Sequence, residues 1–298
     1  MTETILRNFK PGDSERFIQI QNECFRELEY LPRIKVGLRA IESEGSFLAE
    51  KDGAIVGSVG VFKLDRPGWF EIKNLAVRGQ KSGELAKRLL AKAVDYIDST
   101  APGYVKAYTP AIQPFVDYYK QAGFEPKRRS LRIVWDLSRE TTRIGKIETR
   151  ELSTEHADAA ADVWVKGLRP YWKYWIEESG GPEELAVWVK QSVPKREGWI
   201  GAFVDRKLVG LSIVRADSYG PGETRFNGAY VLPEFRDRGI GSALMNATIQ
   251  HAKELGQKTM RVYTLALLDH LAPGAILYLK SGGRIEAEYL QLQRTIDS

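Results

Sequence analysis

The sequence predicts an α/β protein of mixed α+β type: two tandem domains, each a mostly antiparallel, twisted mixed sheet flanked by helices. Three observations predict it. The chain has 298 residues, more than one small core normally holds. Its apolar patterning spells β-α-α-β-β-β-α-β-α-β and then reopens the same order. Two stretches also recur in register: Ile55-Val-Gly57-Ser-Val with Leu208-Val-Gly210-Leu-Ser, and Tyr118-Tyr119-Lys-Gln-Ala-Gly123-Phe124 with Leu277-Tyr278-Leu-Lys-Ser-Gly282-Gly283. Internal duplication is the simplest account.

In the first half, 5–9 reads as a strand, and Pro11-Gly12-Asp13-Ser14 opens a helix to Phe25. A second helical stretch covers 34–44. Strands 47–50 and 55–63 join over Asp52-Gly53, a hairpin signal, and 69–77 follows. Leu85, Leu89, Ala93 and Ile97 recur at helical spacing across 84–97. Strand 104–108, a short helix 115–122 ending at Gly123, and strand 131–137 complete the half. Residues 139–146 are polar and unpatterned, so the expected domains are 1–138 and 147–298 with a linker between. The second half repeats the order: strand 147–150, helix 155–168 capped by Ser153 or Thr154, helix 182–193, and a hairpin of 199–204 and 208–216. Strand 226–231, helix 242–255, strand 258–264, helix 274–281 and a closing strand 286–294 follow.

Bulk properties narrow the function. Hydrophobic residues are 43% and charged residues 28%, the profile of a globular protein. No apolar run reaches membrane-span length, and no signal-peptide core opens the chain, so a cytoplasmic location without a membrane partner is expected. Cys24 is the sole cysteine, which excludes an intramolecular disulfide and a zinc cluster; its amphipathic helical setting points to packing. Three histidines lack metal-site spacing, so no metal is expected. The net charge of +5 suits an anionic cofactor. Lys and Arg are spread without a dense basic run, which argues against a nucleic-acid partner. A monomer or a homodimer is expected.

The most informative stretch is Val231-Leu-Pro-Glu-Phe-Arg236-Asp-Arg-Gly239-Ile-Gly241-Ser-Ala-Leu244. A strand ends, a basic glycine loop follows, and a helix begins. The first N–H groups of a helix have no internal partner, and its dipole adds partial positive charge there. Gly239 and Gly241 let the backbone approach a ligand, and Arg236 and Arg238 add charge at the rim. The loop reads as a pyrophosphate cradle. A P-loop is excluded, because Ser242 follows Gly241 without a lysine. A dinucleotide fingerprint fits poorly, since Leu244 stands at its third small position and 258–264 carries no acid for a ribose.

The pattern Arg/Gln-x-x-Gly-x-Gly/Ala, entered through Val-x-Pro, fits Arg236, Gly239 and Gly241 without a gap. Here the sequence resembles the GNAT superfamily of acyl-CoA-dependent N-acyltransferases. Leu277-Tyr-x-Lys-x-Gly282 resembles a second family element, so the resemblance extends over nearly the whole chain as two tandem copies. It implies acetyl-CoA as co-substrate, with Tyr230, Val231, Arg236, Arg238, Gly239, Ile240, Gly241 and Ser242 around it. It also implies direct attack on the thioester by an amine of a small molecule or a peptide. Such an N-acetyltransferase must deprotonate an ammonium, hold an oxyanion and protonate a thiolate. The resemblance assigns Tyr278 as general acid and a backbone N–H near Tyr230 or Val231 to the oxyanion.

The small polar residue usual seven positions before this tyrosine is replaced by Leu271, with Asp269 and His270 as neighbours. The strand residues 225–230 carry no acid, which leaves Glu223, Asp217 or a base acting through water; Glu223 is the nominated residue. For the acceptor, Tyr171, Trp172, Tyr174, Trp175 and Glu177 form either a cage for a cationic amine or ordinary packing. The first copy looks disarmed. Aligned on its helix, Lys81 replaces the arginine, Glu84 the first glycine and Ala86 the second; an alternative alignment puts Gly83 in the pattern. A carboxylate beside two phosphates costs affinity. The second copy is therefore expected to be active, and a non-catalytic acyl-CoA-binding or regulatory module is the alternative.

Overall fold

The computed structural model describes residues 3–25, 31–79, 83–138, 147–193 and 198–296. It is a mixed α/β structure in which the chain forms two compact units. The first comprises Met1–Ser130, Leu267–Asp269 and Ala287–Ser298; the second comprises Leu131–Ala266 and His270–Glu286. The expected linker 139–146 lies outside the described residues.

The first unit contains β1 (Ile5–Asn8), α1 (Ser14–Phe25), α2 (Leu31–Gly37), β2 (Phe47–Lys51), β3 (Ala54–Lys63), β4 (Trp69–Val77), α3 (Gly83–Asp98), β5 (Tyr104–Pro110), α4 (Phe115–Gln121) and the start of β6 (Phe124–Asp136). Strands β1 to β4 pair antiparallel in sequence order, and β4 pairs parallel with β5. Helix α3 buries Ala86, Leu89, Leu90, Ala93 and Ile97, the stripe its spacing predicts. Helix α2 is shorter than the expected 34–44, because the chain tightens into a 3-10 turn at Leu38–Ala40 and leaves it extended at Ile41.

The second unit takes the rest of β6, then β7 (Glu148–Glu151), α5 (Ala157–Leu168), α6 (Lys173–Glu178), α7 (Pro182–Ser192), β8 (Trp199–Val204), β9 (Lys207–Gly220), β10 (Glu223–Val231), α8 (Ile240–Glu254), β11 (Thr259–Ala266), α9 (Pro273–Lys280) and the start of β12 (Arg284–Arg294). Strands β7 to β10 pair antiparallel in order, and β10 pairs parallel with β11. Its core is dominated by Trp164, Trp199, Phe226 and the aliphatic side chains of β8, β9 and α8.

Neither unit follows a single cut of the chain. The last strand was expected to close the second half, but its residues from Ala287 onward belong to the first unit and pair antiparallel with β5, Tyr289 opposite Pro110 and Arg294 opposite Val105. The segment from Leu131 of β6 belongs to the second. Alternating apolar residues identify a strand but not its partner, which is why the exchange is invisible in sequence. Among the described residues no helix is long and apolar enough to cross a membrane.

In the first unit, Glu71 of β4 sits 2.8 Å from Lys73 and 3.8 Å from Lys106. Burial alone would push its carboxyl up, but Lys73, Lys106 and Arg33 outweigh that and hold it at about 2. A carboxyl depressed on folding adds stability above its unfolded range, and that stability drains away as pH falls from about 4.5 toward 2. Glu71→Gln should therefore lower the unfolding free energy, measured by urea titration, by on the order of 2 kcal/mol at pH 6 and distinctly less at pH 3. Equal losses at both pH values would remove Glu71 from the acid response.

Candidate active site

Two local features of the second unit build the site. The first is the start of α8. Gly239 stands at its N-cap with φ +79°, a left-handed conformation that glycine alone adopts without cost. Among the described residues no side chain caps this helix, so its opening N–H groups face outward with the positive end of the dipole. Gly241 is bare for another reason: a Cβ there would lie 2.9 Å from Leu277 Cδ2.

The second feature is a bulge in β10. Asn227 pairs with Ile213 and Tyr230 with Leu211, so one extra residue is inserted between them. Strict alternation would send Asn227 and Tyr230 to opposite faces. The insertion puts both, with Arg225, on the face covered by α5, where the Tyr230 ring lies 4.5 Å from Trp164. Gly167 permits this approach, since a Cβ on it would sit 2.9 Å from Tyr230 Cβ. Nothing in the sequence pattern flagged Gly167; its spacing within a helix gives no turn signal.

Between the two features lies a cavity of about 480 Å³, within the usual range for small-molecule sites. Of the residues expected at a cofactor, Tyr230, Val231, Arg236, Gly239, Gly241 and Ser242 line it. Tyr278 lines the same cavity, as do Tyr171 and Trp172 from the turn before α6. Thr264 of β11 and Asp237 of the loop are further polar wall residues that sequence reasoning missed.

Several expected residues behave differently. Arg236 is not a free rim charge: it donates to the carbonyls of Val231 at 3.2 Å, Gly167 at 3.1 Å and Arg169 at 2.7 Å. Those groups close the end of α5 and of β10, so the guanidinium ties the loop to both. Arg238 lies over the Phe235 ring at 5.3 Å and is not in the wall, nor is Ile240, whose side chain is buried in the core. Glu223 is not among the residues that line the cavity. It begins β10, eight residues from Val231 at the far end of the strand, and pairs with Arg261 at 3.2 Å. Asp217 accepts from the Gly222 N–H at 2.7 Å in the hairpin turn and is structural.

The aromatic run divides: Tyr171 and Trp172 line the cavity, and the others point to different neighbours. Tyr174 stacks on Trp172 at 6.0 Å, Trp175 packs against the core, and Glu177 reaches back to Lys173 at 3.9 Å. Tyr278 and Tyr230 are the titratable groups of the cavity wall whose protonation burial shifts most. Tyr278 is 5% exposed and set edge-on to Trp135 and Phe226. Burial raises its hydroxyl well above the phenol range, Tyr230 adds to this, and a hydrogen bond from the Ala229 backbone partly offsets it. Burial likewise raises Tyr230, with Arg225 pulling the other way. Both remain neutral donors at any ordinary pH.

The first unit repeats the scaffold, and its matching loop includes residues 80–82, which lie outside the described residues. A Cβ on Gly57 would lie 2.8 Å from Leu89, as one on Gly210 would lie 3.0 Å from Leu244. That packing aligns Leu89 with Leu244, hence Glu84 with Gly239 and Ala86 with Gly241. Glu84 lies within α3, so it is helical where the second copy has its left-handed glycine, and its carboxylate is tied to Lys87 at 3.3 Å. Lys81 lies outside the described residues. Cys24 donates to the Val77 carbonyl at 3.2 Å, and burial pushes its thiol up to about 11, which makes it a packing residue.

The groups present fit acetyl-CoA: an unpartnered run of N–H groups for a diphosphate, at the mouth of a cavity that ends at a neutral phenol. Comparison with known proteins agrees. The Acetyltransferase (GNAT) family profile matches residues 14–124 and again 162–276. An uncharacterized N-acetyltransferase of Methanocaldococcus jannaschii is 27% identical over 120 residues, 38% of this chain and 51% of that protein. The chain thus spans about half the length of that curated relative. Among solved structures, a GCN5-related N-acetyltransferase from Sphaerobacter thermophilus superposes with a TM-score of 0.75 at 16% identity, covering 99% of this chain and 98% of the other. A tandem GNAT protein from the clavulanic acid biosynthesis pathway gives 0.66 at 13% identity, covering 99% and 100%. With two profile matches that together take in well over half the chain, and whole-length likeness to a tandem structure, the protein belongs to the GNAT acetyltransferase family and carries two copies of its fold.

Proposed function

We propose that the protein is an acetyl-CoA-dependent N-acetyltransferase that acts through its second copy on a primary amine of a small molecule or a peptide. The observation that supports this best is the uncapped start of α8 opening into the cavity that holds Tyr278. The N–H groups of Gly239 to Ser242 would hold the diphosphate, with Arg236 keeping the loop in place rather than gripping the ligand. Acetyl-CoA supplies the activated thioester. Tyr278 holds its proton at Oη and delivers it toward the leaving sulfur as negative charge develops there. Backbone N–H groups at the β10 bulge, near Tyr230 and Val231, are placed for the oxyanion. Asp237 is the carboxylate among the described wall residues, and it lies on the cradle side, so the acceptor proton leaves through water.

Titration calorimetry with acetyl-CoA tests the asymmetry between copies. One site per chain is expected. Two equivalent sites, or none, would overturn the assignment to the second copy. The position of Glu223 at the far end of β10 favours a second reading, a non-catalytic acyl-CoA-binding module. Thiol release separates the two: a binder retains acetyl-CoA but releases no thiol with any amine.

A further inference from the structure

A row of arginines crosses the second unit on the face of the sheet that Tyr230 shares. Arg215 of β9 and Arg225 of β10 are direct antiparallel partners, and Arg225 and Arg261 of β11 are parallel partners. Arg132 of β6 extends the row, since it and Arg261 both contact Glu286, at 2.8 and 3.1 Å. Like charges directly opposite one another in a sheet are destabilising, so such a row needs counter-charge. Among the described residues, two carboxylates meet Arg261 and Arg132. Glu223 holds Arg261, and Glu286 lies between Arg261 and Arg132. Burial would raise the Glu286 carboxyl, but Arg261, Arg132 and Arg284 together hold it below the usual range. Arg215 lies over the Trp188 ring at 5.6 Å. Arg225 is exposed, and among the described residues no carboxylate pairs with it.

The duplicated scaffold provides an internal comparison. In the first unit, Glu71 pairs with Phe62 of β3 and with Lys106 of β5. Counting from the matched glycines, Gly57 and Gly210, Glu71 occupies the position of Arg225, and Lys106 that of Arg261. There the acid sits between Lys73 and Lys106 and the strip is closed on itself. In the second unit the same position is reversed in sign and left open. The bulge that carries Tyr230 into the cavity wall keeps Arg225 and Asn227 on that same face; Arg225 lies outside the wall itself, but its charge reaches the Tyr230 hydroxyl, so the open cation is within electrostatic range of an acceptor beside that ring.

We infer that Arg225 is a specificity-determining residue that binds an oxyanion carried by the acceptor, so that the substrate is an amine bearing an acid group: an amino acid, a peptide carrying its own carboxylate, or an aminoalkyl phosphate. This inference rests on the transferase reading above. A guanidinium suits the role because its planar fork meets a carboxylate or phosphate in two parallel hydrogen bonds. The Arg225 charge also opposes a second positive charge nearby, which favours loss of the acceptor's ammonium proton.

The test uses the full chain with acetyl-CoA and thiol release as readout. Acceptors are the twenty amino acids, their amides, dipeptides and phosphoethanolamine, which separates free carboxylates, peptide carboxylates and phosphates. The wild type should turn over acid-bearing amines with kcat/KM at least ~10-fold above their amides. In Arg225→Gln that ratio should collapse toward one, mainly through a 10–100-fold rise in KM for the acids (roughly one charge-assisted pair). Arg225→Lys should recover part of it. Succinate, which has no amine, should compete with the acceptor in the wild type and lose potency in Arg225→Gln. A wild type that prefers amides, or a ratio unmoved by Arg225→Gln, would overturn the role of Arg225 alone. Acetyl-CoA binding without thiol release from any acceptor would overturn the transferase reading, and this inference with it.

Discussion

Tyr278→Phe is expected to lower kcat by ~10²–10⁴-fold while acetyl-CoA binding is retained, the usual loss when a positioned general acid is removed. The change deletes one hydroxyl and keeps the ring. That ring remains edge-on to Trp135 at 5.8 Å and to Phe226 at 5.4 Å, so the packing that fixes α9 against the sheet survives. The lost hydrogen bond with the Ala229 backbone costs about 1 kcal/mol, too little to unfold the unit. Binding by calorimetry and turnover by thiol release should therefore separate cleanly. The pH profile adds a second readout. Burial holds the Tyr278 hydroxyl well above the phenol range, so its acid form persists through alkaline pH. No alkaline fall in kcat from this group is expected below pH ~10. Turnover in Tyr278→Phe within a few-fold of wild type would move the thiolate's proton source to water.

The loop and helix start of the candidate cradle were legible because their signals are local. A strand-ending Val-x-Pro, a left-handed glycine and a helix start all lie within a dozen residues, and each is dictated by backbone sterics. Tyr278 was legible through the same kind of short context. What sequence could not supply was geometry set by distant partners. Glu223 and Tyr230 share one strand, and only the register against β9 and β11 tells which end meets the cavity. The one-residue bulge then reassigns faces, which a period-two reading cannot anticipate without the partner strand. Gly167 is needed because α5 crosses tightly over Tyr230, a contact between residues far apart in sequence. Arg236 illustrates the same limit from the other side. It lines the cavity, but its hydrogen bonds run to carbonyls at the end of α5, so a charge read as ligand-facing from sequence also holds the loop. The aromatic run offered two readings, and the structure divides it: Tyr171 and Trp172 face the cavity, while Trp175 packs inward.

Gly241→Asp should weaken acetyl-CoA binding by ~100-fold or more without harming the fold, a combination that few other substitutions would give. An acidic residue in the first turn of a helix is favourable, because it meets the partial positive charge of the dipole and can accept from free N–H groups. Helix α8 has no such cap of its own, so the variant should be as stable as the wild type or slightly more. The new Cβ meets only the end of the Leu277 side chain, at 2.9 Å, which can rotate away. For a diphosphate the same change is adverse twice over. The carboxylate occupies the N–H groups the ligand needs, each charge-assisted bond being worth about 1.5–3 kcal/mol. It also sets a negative charge against the phosphates, a repulsion of about 4 kcal/mol at 4 Å in a partly screened site. Either contribution alone suffices for the expected ~100-fold loss, at 1.4 kcal/mol per decade. Gly241→Ala separates charge from bulk, since it adds the Cβ without the acid and should lose far less. Glu84→Ala at the exposed start of α3 should leave binding unmoved, because the proposed cradle belongs to the second copy. Calorimetry and thermal unfolding on the three variants decide the matter. Undiminished affinity in Gly241→Asp would mean that the diphosphate sits elsewhere, and lost affinity accompanied by a lowered melting temperature would mean that the helix, not the ligand, was disturbed.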